Sequence, residues 1–457
     1  MNGTPLRNPA FRRLFAGQVA SLFGSGLATV ALALMAYSLA PDRAGSTLGT
    51  ALAIKMVSYV AIAPLAGALT ARLPRRAYLV ALDLIRAAAV ACLPFVDSLW
   101  QVYALIFVVS AASAGFTPVF QATIPDILKD DEQYTRALSW SRIAYDLENL
   151  LSPMLAAALL TVTAFHTLFV LNAIGFLASA ALVLSVALPR GRPPAREAGL
   201  WSDIAFGGTL YLRTLRLRAL LLLFLGVAVA GAMVIVNTVV YVRTVLALGD
   251  TDVALAFAAF GAGSMAVALA LPRLLKHAAE RTVTVSGGVM LSTGLALATA
   301  LPSFGGMLGL WAVLGAGASL VQTPAARILR RSCHEEDRSP LYAAHFALSH
   351  LCWLFAYLLA GHGGAALGLP ATFAAAAALA AAATALAWLL WPAADKAELE
   401  HEHEEIVHAH WHTHDDVHHD HNEGNTGEKE PHSHVHRHGP VRHRHAFVID
   451  LHHRHWP

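Results

Sequence analysis

Apolar runs of about 20 residues recur along this chain between short polar connections, and that rhythm constrains the fold more than any single motif. The runs fall at residues 14–40, 48–70, 77–96, 100–118, 138–163 and 166–188. After a polar stretch at 189–218 come 219–242, 253–272, 282–301, 307–329, 341–360 and 370–391. A helix rises about 1.5 Å per residue, so each run can cross a hydrocarbon layer of about 30 Å. Backbone polar groups in that layer have no water to bond, so such runs fold as helices. The sequence predicts an all-α membrane protein with twelve transmembrane helices in two six-helix repeats. Only 14% of the 457 residues are charged, against about 25% in soluble domains, which excludes an ordinary soluble enzyme. The first run is too long for a signal-peptide core and lacks a short cleavable layout, so it reads as a retained span.

Orientation follows from the basic residues. With the N-terminus in the cytoplasm, 21 Lys and Arg fall in the inner segments and two, Arg43 and Arg243, in the outer loops. Both termini are then cytoplasmic. The expected units are an N-terminal half at 1–188, a cytoplasmic linker at 189–218, a C-terminal half at 219–392 and a tail at 393–457. The halves echo each other at an offset of 206 residues: Arg12 and Arg218, Arg75 and Arg281, Thr117-Pro118 and Thr323-Pro324. Two parallel repeats around a midplane site are the arrangement this suggests.

A charge inside a span costs about 2.5–3.5 kcal/mol on insertion scales, so each one needs a neighbour or a task. The fifth run carries Arg142, Asp146, Glu148 and Asn149. The two acids lie roughly 13–17 Å along the helix, near the midplane. Asp146 and Asn149 share a face, and Glu148 lies away from Asp146. These groups line a cation or proton path, or Arg142 and Asp146 neutralise each other. Asp83 and Arg86, at i,i+3, form another candidate internal pair, with Arg86 a further candidate for the path. Lys55 has no local counter-charge; it pairs across helices with Asp83, Asp146 or Glu148, or it reaches the outer interface. The eleventh run places His345, Ser349 and Cys352 on one face and His350 about 140° away. Both histidines are candidate path residues, because imidazole suits both borderline metals and proton transfer. Gln322, Asn172 and Asn237 read as interhelical hydrogen-bonding groups.

The tail differs in kind. It holds 18 of the 24 histidines and, with 13 acids against 6 bases, a charge of −7, leaving +9 on the rest. The candidate metal ligands are His401, His403, His408, His410, His412, His414, His418, His419 and His421, then His432, His434, His436, His438, His443 and His445. In an extended chain, His-x-His spacing sets alternate residues on one side, where two imidazoles chelate one ion. Little packed structure is expected from so polar a composition, apart from the apolar segment 446–451. The tail contains neither Cys nor Met, which disfavours Cu(I) but does not separate Cu²⁺, Ni²⁺ and Zn²⁺. Three cysteines without CxxC spacing exclude a disulfide scaffold and a thiolate zinc cluster. No catalytic nucleophile constellation, phosphate-cradling loop or nucleic-acid module is present, so neither a cofactor nor a nucleic-acid partner is expected.

Three stretches carry a family resemblance. Asn8-Pro9-x-Phe11-Arg12-Arg13-Leu14-Phe15-x-Gly17-Gln18 resembles the first span of major facilitator drug and siderophore exporters. Gly67-x-Leu69-x-x-Arg72-x-Pro74-Arg75-Arg76 is similar to that superfamily's loop between spans two and three, and residues 116–126 to the end of span four. A permease of this type ending in a His/Asp/Glu tail resembles bacterial nickel-resistance exporters. That resemblance implies a monomeric inner-membrane carrier, bathed in lipid, moving Ni²⁺ and Co²⁺ outward against protons. Two departures remove the usual charge relay: Ala71 stands where an acid is usual, and span four lacks an arginine. The alternatives are a drug or siderophore exporter with an incidental tail, and a metal-storage protein anchored by its membrane part.

Overall fold

The computed structural model describes residues 4–39, 44–70, 73–188, 200–300, 303–392, 399–402, 406–412, 432–438 and 442–445. The first half contains α1 (Pro9–Leu39), α2 (Ala44–Thr70), α3 (Arg75–Cys92), α4 (Leu99–Ile127), α5 (Asp131–Leu160) and α6 (Phe165–Leu184). A connecting helix α7 (Leu200–Arg213) leads to α8 (Leu215–Val240), α9 (Asp250–His277), α10 (Glu280–Ala298), α11 (Phe304–Arg330), α12 (Arg338–Leu367) and α13 (Leu369–Leu390). Each of the twelve apolar runs is thus a helix. The linker contains a helix that its polar composition did not announce.

Among the described residues, nine helices are long and apolar enough to cross a membrane by length and composition alone. Those three short of the mark include α5, which carries Asp131, Glu132, Arg136, Arg142, Asp146 and Glu148. Its start is strongly specified. The Asp130 carboxylate accepts the Gln133 backbone N–H at 2.8 Å, and Asp131 and Glu132 place negative charge at the helix N-terminus.

The repeat is structural. Helix α1 begins at Pro9 and α8 at Leu215, α2 at Ala44 and α9 at Asp250, α4 at Leu99 and α11 at Phe304. Arg12 and Arg218 lie in the first turns of α1 and α8, Arg75 and Arg281 in those of α3 and α10. Pro118 and Pro324 lie within α4 and α11. In the first half α1 packs on α6, α3 on α6 and α2 on α4; in the second, α11 packs on α9 and α10, and α8 on α12 and α13. Small residues set the closest approach. A Cβ at Gly263 would strike the backbone carbonyl of Ala312, and one at Gly315 that of Phe260, so α9 and α11 touch backbone to backbone. The halves meet along α2–α12, α5–α9, α5–α11 and α4–α12, and α7 lies against α2 and α12.

The tail contributes four short strands, β1 (Leu399–Glu402), β2 (Ile406–His412), β3 (His432–His438) and β4 (Arg442–His445). Strands β1 and β4 pair antiparallel, as do β2 and β3. Opposed positions are His401 and His443, His408 and His436, His410 and His434, and His412 and His432. Glu400 stands opposite Arg444 and Glu402 opposite Arg442, a charge-complementary register. His403, His414, His418, His419, His421 and the segment 446–451 lie outside the described residues.

Candidate functional site

Two polar clusters occupy the seam between the halves, and both include α5. In the first, Arg142 reaches one turn along α5 to Asp146, with Nη2–Oδ1 at 2.8 Å. The same guanidinium crosses the seam, donating from Nε to Ser264 Oγ on α9 at 3.0 Å and from Nη1 to Gln322 Oε1 on α11. Asp146 is buried. The cluster is electrically neutral and its hydrogen-bonding capacity is largely used within the protein.

The second cluster lies on the opposite side of α5, where Glu148 belongs by its two-residue displacement. Its Cγ packs so near α1 that a methyl group at Gly26 would meet it at 3.3 Å. Across the space stand Lys55 and Tyr59 of α2 and His350 and Tyr357 of α12. Lys55 Nζ is 5.7 Å from the Tyr59 ring centroid, and the His350 ring meets that ring edge to face at 4.9 Å. Lys55 and Glu148 attract each other electrostatically. Among the described residues, no hydrogen bond or ion pair joins them. Among the described residues, no ion pair joins Lys55 to Asp83 or Asp146 either.

The other expected residues lie apart from these clusters. Arg86 is buried inside the N-terminal half, bonded to Asp83 and sandwiched between the Phe116 and Phe176 rings at 4.1 and 4.4 Å. This is the internal pair that their i,i+3 spacing offered. His345 accepts or donates one bond with the Tyr211 hydroxyl of α7 at 3.1 Å and packs on Phe224. Asn237 donates to the Ala360 carbonyl on α12 at 3.2 Å, and Gln322 takes Arg142, so both are interhelical bonds as expected. Asn149 belongs to α5, and its side chain lies outside the described residues. No cluster of three or more His, Cys, Asp or Glu side chains capable of holding a metal occurs among the described residues.

A third set closes the arginine-rich end. Asp126 at the end of α4 receives Arg75 of α3 and Arg338 of α12, joining the halves through one carboxylate. The side chains of Arg75, Asp126 and Arg338 are 5%, 13% and 7% exposed, so solvent screens this triad little. More exposed bonds surround it. Lys276 meets Glu132 at 2.8 Å and Arg330 meets Asp131 at 2.7 Å. The Tyr342 hydroxyl donates to the Ala326 carbonyl at 2.8 Å, and the single hydrogen of the Tyr134 hydroxyl goes either to that carbonyl at 3.2 Å or to the Tyr342 oxygen at 3.1 Å. Sequence reasoning did not find the triad, although Asp126 stood in the quoted motif after Pro125.

Known proteins place this architecture. Residues 14–303 match the family model for the Major Facilitator Superfamily. Macrolide efflux protein A of Streptococcus pyogenes is 26% identical over 185 residues, which cover 39% of this chain and 45% of that protein. An uncharacterised MFS-type transporter of Bacillus subtilis is 28% identical over 193 residues, 40% of this chain and 45% of its own. The matched stretches thus span about half the length of these relatives. A human organic anion transporter superposes with a TM-score of 0.71 at 15% identity, covering 83% of this chain and 99% of its own. A bacterial homologue of the iron transporter ferroportin, in its outward-facing state, gives 0.67 at 16% identity, covering 83% and 98%. With twelve helices in two offset repeats, a polar seam between them and a family match over more than half its length, the chain belongs to the Major Facilitator Superfamily.

Proposed function

We propose that this transporter exports a divalent transition-metal ion, Ni²⁺ and with it Co²⁺, across the bacterial inner membrane in exchange for protons. The observation that carries the metal reading is the tail. Histidines recur at every second residue in β2 and β3, and the ladder sets His408, His410 and His412 opposite His436, His434 and His432. Neutral imidazole is a good ligand for nickel, cobalt and zinc, and such a display gathers metal ions. With the arginine-rich end in the cytoplasm, the tail captures metal on the side from which efflux starts. Within the membrane, Glu148 is the acid that exchanges proton and cation, because Asp146 is already committed to Arg142. The triad of Arg75, Asp126 and Arg338 serves as the inner gate, which must open to admit metal.

The test is metal content in cells with and without the protein, measured for Ni²⁺, Co²⁺ and Zn²⁺ beside a panel of macrolides. Lower cell nickel when the protein is present supports the proposal. The macrolide efflux relatives favour a second reading, in which the cargo is an organic molecule. Unchanged metal content with reduced macrolide content would establish that reading instead. Tolerance conferred by the soluble tail alone would favour metal storage.

A further inference from the structure

The halves meet differently at α5–α9 and at α2–α12. At α5–α9 the Arg142 guanidinium crosses to Ser264 Oγ at 3.0 Å. At α2–α12 the helices leave a cavity of about 220 Å³. Val60 and Pro64 of α2, Gly208 of α7, and Ala344, Leu348 and Leu351 of α12 line it, and its wall carries no polar side chain. Helix α7 is pinned there by the 3.1 Å bond between Tyr211 and His345 and by the approach of Gly207 to the Pro340 backbone. A Cβ at Gly208 would meet no atom within 4 Å, so α7 covers the space without filling it. Pro64 and Val60 lie about 9 and 15 Å from the arginine-rich end of α2, and Ala344 and Leu351 about 9 and 20 Å from that of α12. The hydrocarbon of one leaflet is about 15 Å deep. The wall also runs on to the outer surface of the bundle. In steps of three and four residues, Pro64 and Val60 lead to Val57, which is 56% exposed, and Leu348 and Leu351 lead to Phe355, which is 61% exposed.

We infer that this cavity takes an acyl chain of a membrane phospholipid, inserted between the halves at α2–α12. The occupant follows from the surroundings. In a membrane carrier the exposed Val57 and Phe355 meet hydrocarbon, so lipid chains lie against the face that continues into the cavity. Apolar cavities of about 150 Å³ stay dry and accept hydrocarbons. Water entering this one would find no polar side chain to bond. Left empty, the space would forfeit the dispersion contacts of its walls, and a chain end supplies them without displacing any hydrogen bond. The walls belong to different halves, α2 to the first and α12 to the second. A rocking motion of one half against the other therefore changes the space between them. A seated chain favours the arrangement that has the cavity, which links lipid binding to the conformation of the carrier. Side-chain bonds tie the α5–α9 contact from within the protein, whereas the bilayer completes the α2–α12 contact.

The test uses the full-length protein in vesicles of phosphatidylethanolamine and phosphatidylglycerol, doped with a phospholipid that carries a diazirine near the end of one acyl chain. After irradiation, peptide mass spectrometry reads labelling at Val60 and Leu348 in the cavity and at Phe355 on the outer surface. Gly208→Leu, which grows a side chain into the free space, is expected to lower labelling at Val60 and Leu348 about fivefold and to leave Phe355 within about twofold. Retained labelling at Phe355 also reports that the variant is folded and embedded. Unchanged labelling at Val60 and Leu348 in Gly208→Leu, or none at either in the wild type, would overturn the inference. A Gly208→Cys protein, corrected for the native cysteines with the wild type, gives a second measurement that leaves the cavity open. Relative to free cysteine, its thiol should lose at least about tenfold more rate toward a charged methanethiosulfonate than toward N-ethylmaleimide. Equal losses would mean a water-filled space and would also overturn it. Raised labelling at Leu348 in a full-length Phe447→Asp, Ile449→Asp variant would assign the cavity to the tail's own apolar segment and overturn the lipid as its occupant.

Discussion

Asp146 and Glu148 are two residues apart on one helix, yet they occupy opposite electrical situations. Asp146 faces Arg142 at 2.8 Å, within a bonded group that extends to Ser264 and Gln322 of the other half. Glu148, turned to the other side of α5, faces Lys55 with no bond between them among the described residues. A saturated buried pair is a poor place to exchange ions, because removing either member strands the other charge. A carboxylate that no ion pair ties to a neighbouring helix has no such obstacle. On the function proposed above, Asp146 would serve the cohesion of the seam and Glu148 the exchange of ions.

Substituting each acid breaks the comparison most sharply. Glu148→Gln is expected to lower proton-coupled metal flux about 100-fold or more in proteoliposomes, with thermal unfolding in detergent close to wild type. Asp146→Ala is expected to act through stability, leaving the half-buried Arg142 without its carboxylate though still bonded to Ser264 and Gln322, at a cost of about 1–3 kcal/mol. Its yield and unfolding temperature should fall. If Asp146→Ala proved stable and silent in transport, and Glu148→Gln unstable, the assignment would be reversed.

The next effect concerns the arginine-rich end. Asp126→Asn removes the charge that holds Arg75 and Arg338 together and leaves two cations facing each other across the halves. Opening of this end should become more frequent. Cys333, buried between α11 and α12, reports on it. Burial pushes its thiol well above the ordinary thiol range, so at neutral pH it carries little thiolate and reacts slowly. Exposure on opening lowers that pKa and raises the thiolate fraction. Maleimide labelling, corrected with a Cys333→Ser protein for Cys92 and Cys352, should be about tenfold faster in Asp126→Asn. An unchanged rate would mean that the triad does not hold this end closed.

These distinctions were unevenly legible in the sequence. The twelve helices were readable because membrane helices must satisfy their own backbone, so each is written as an apolar run, although only nine of them among the described residues are long and apolar enough to cross. The pairing of Arg142 with Asp146, and the divergence of Glu148 from it, followed from helical periodicity on one element. Asp126 with Arg338 did not, because those residues are 212 apart and no local pattern ties them. Helix α7 was hidden in a polar linker, since its stabilisation comes from docking. Tyr211 bonds to His345, and Gly207 lets the backbone approach Pro340. Tyr59 was passed over as an apolar-span residue, although its ring organises both Lys55 and His350.

The comparison extends to the tail, with a smaller effect. If Trp411 and Ser433 are opposed as the register places them, then Trp411→Cys with Ser433→Cys should form a disulfide more readily than Trp411→Cys with Val435→Cys. Two-stranded ladders alone are marginal in water, and metal binding is coupled to folding in sites of this kind. Ni²⁺ should therefore raise the opposed pair's yield about threefold, and a chelator should reverse it. Equal yields for both pairs would show that the tail gathers metal without this register. The smallest change belongs to Asp131, whose side chain is 65% exposed where it meets Arg330. Solvent screens such a pair, so Asp131→Asn should cost less than about 1 kcal/mol and leave Cys333 labelling near wild type. A tenfold acceleration there, equal to that of Asp126→Asn, would show that closure is spread over the whole charged rim. The contrast between buried and exposed carboxylates would then carry no information about the gate.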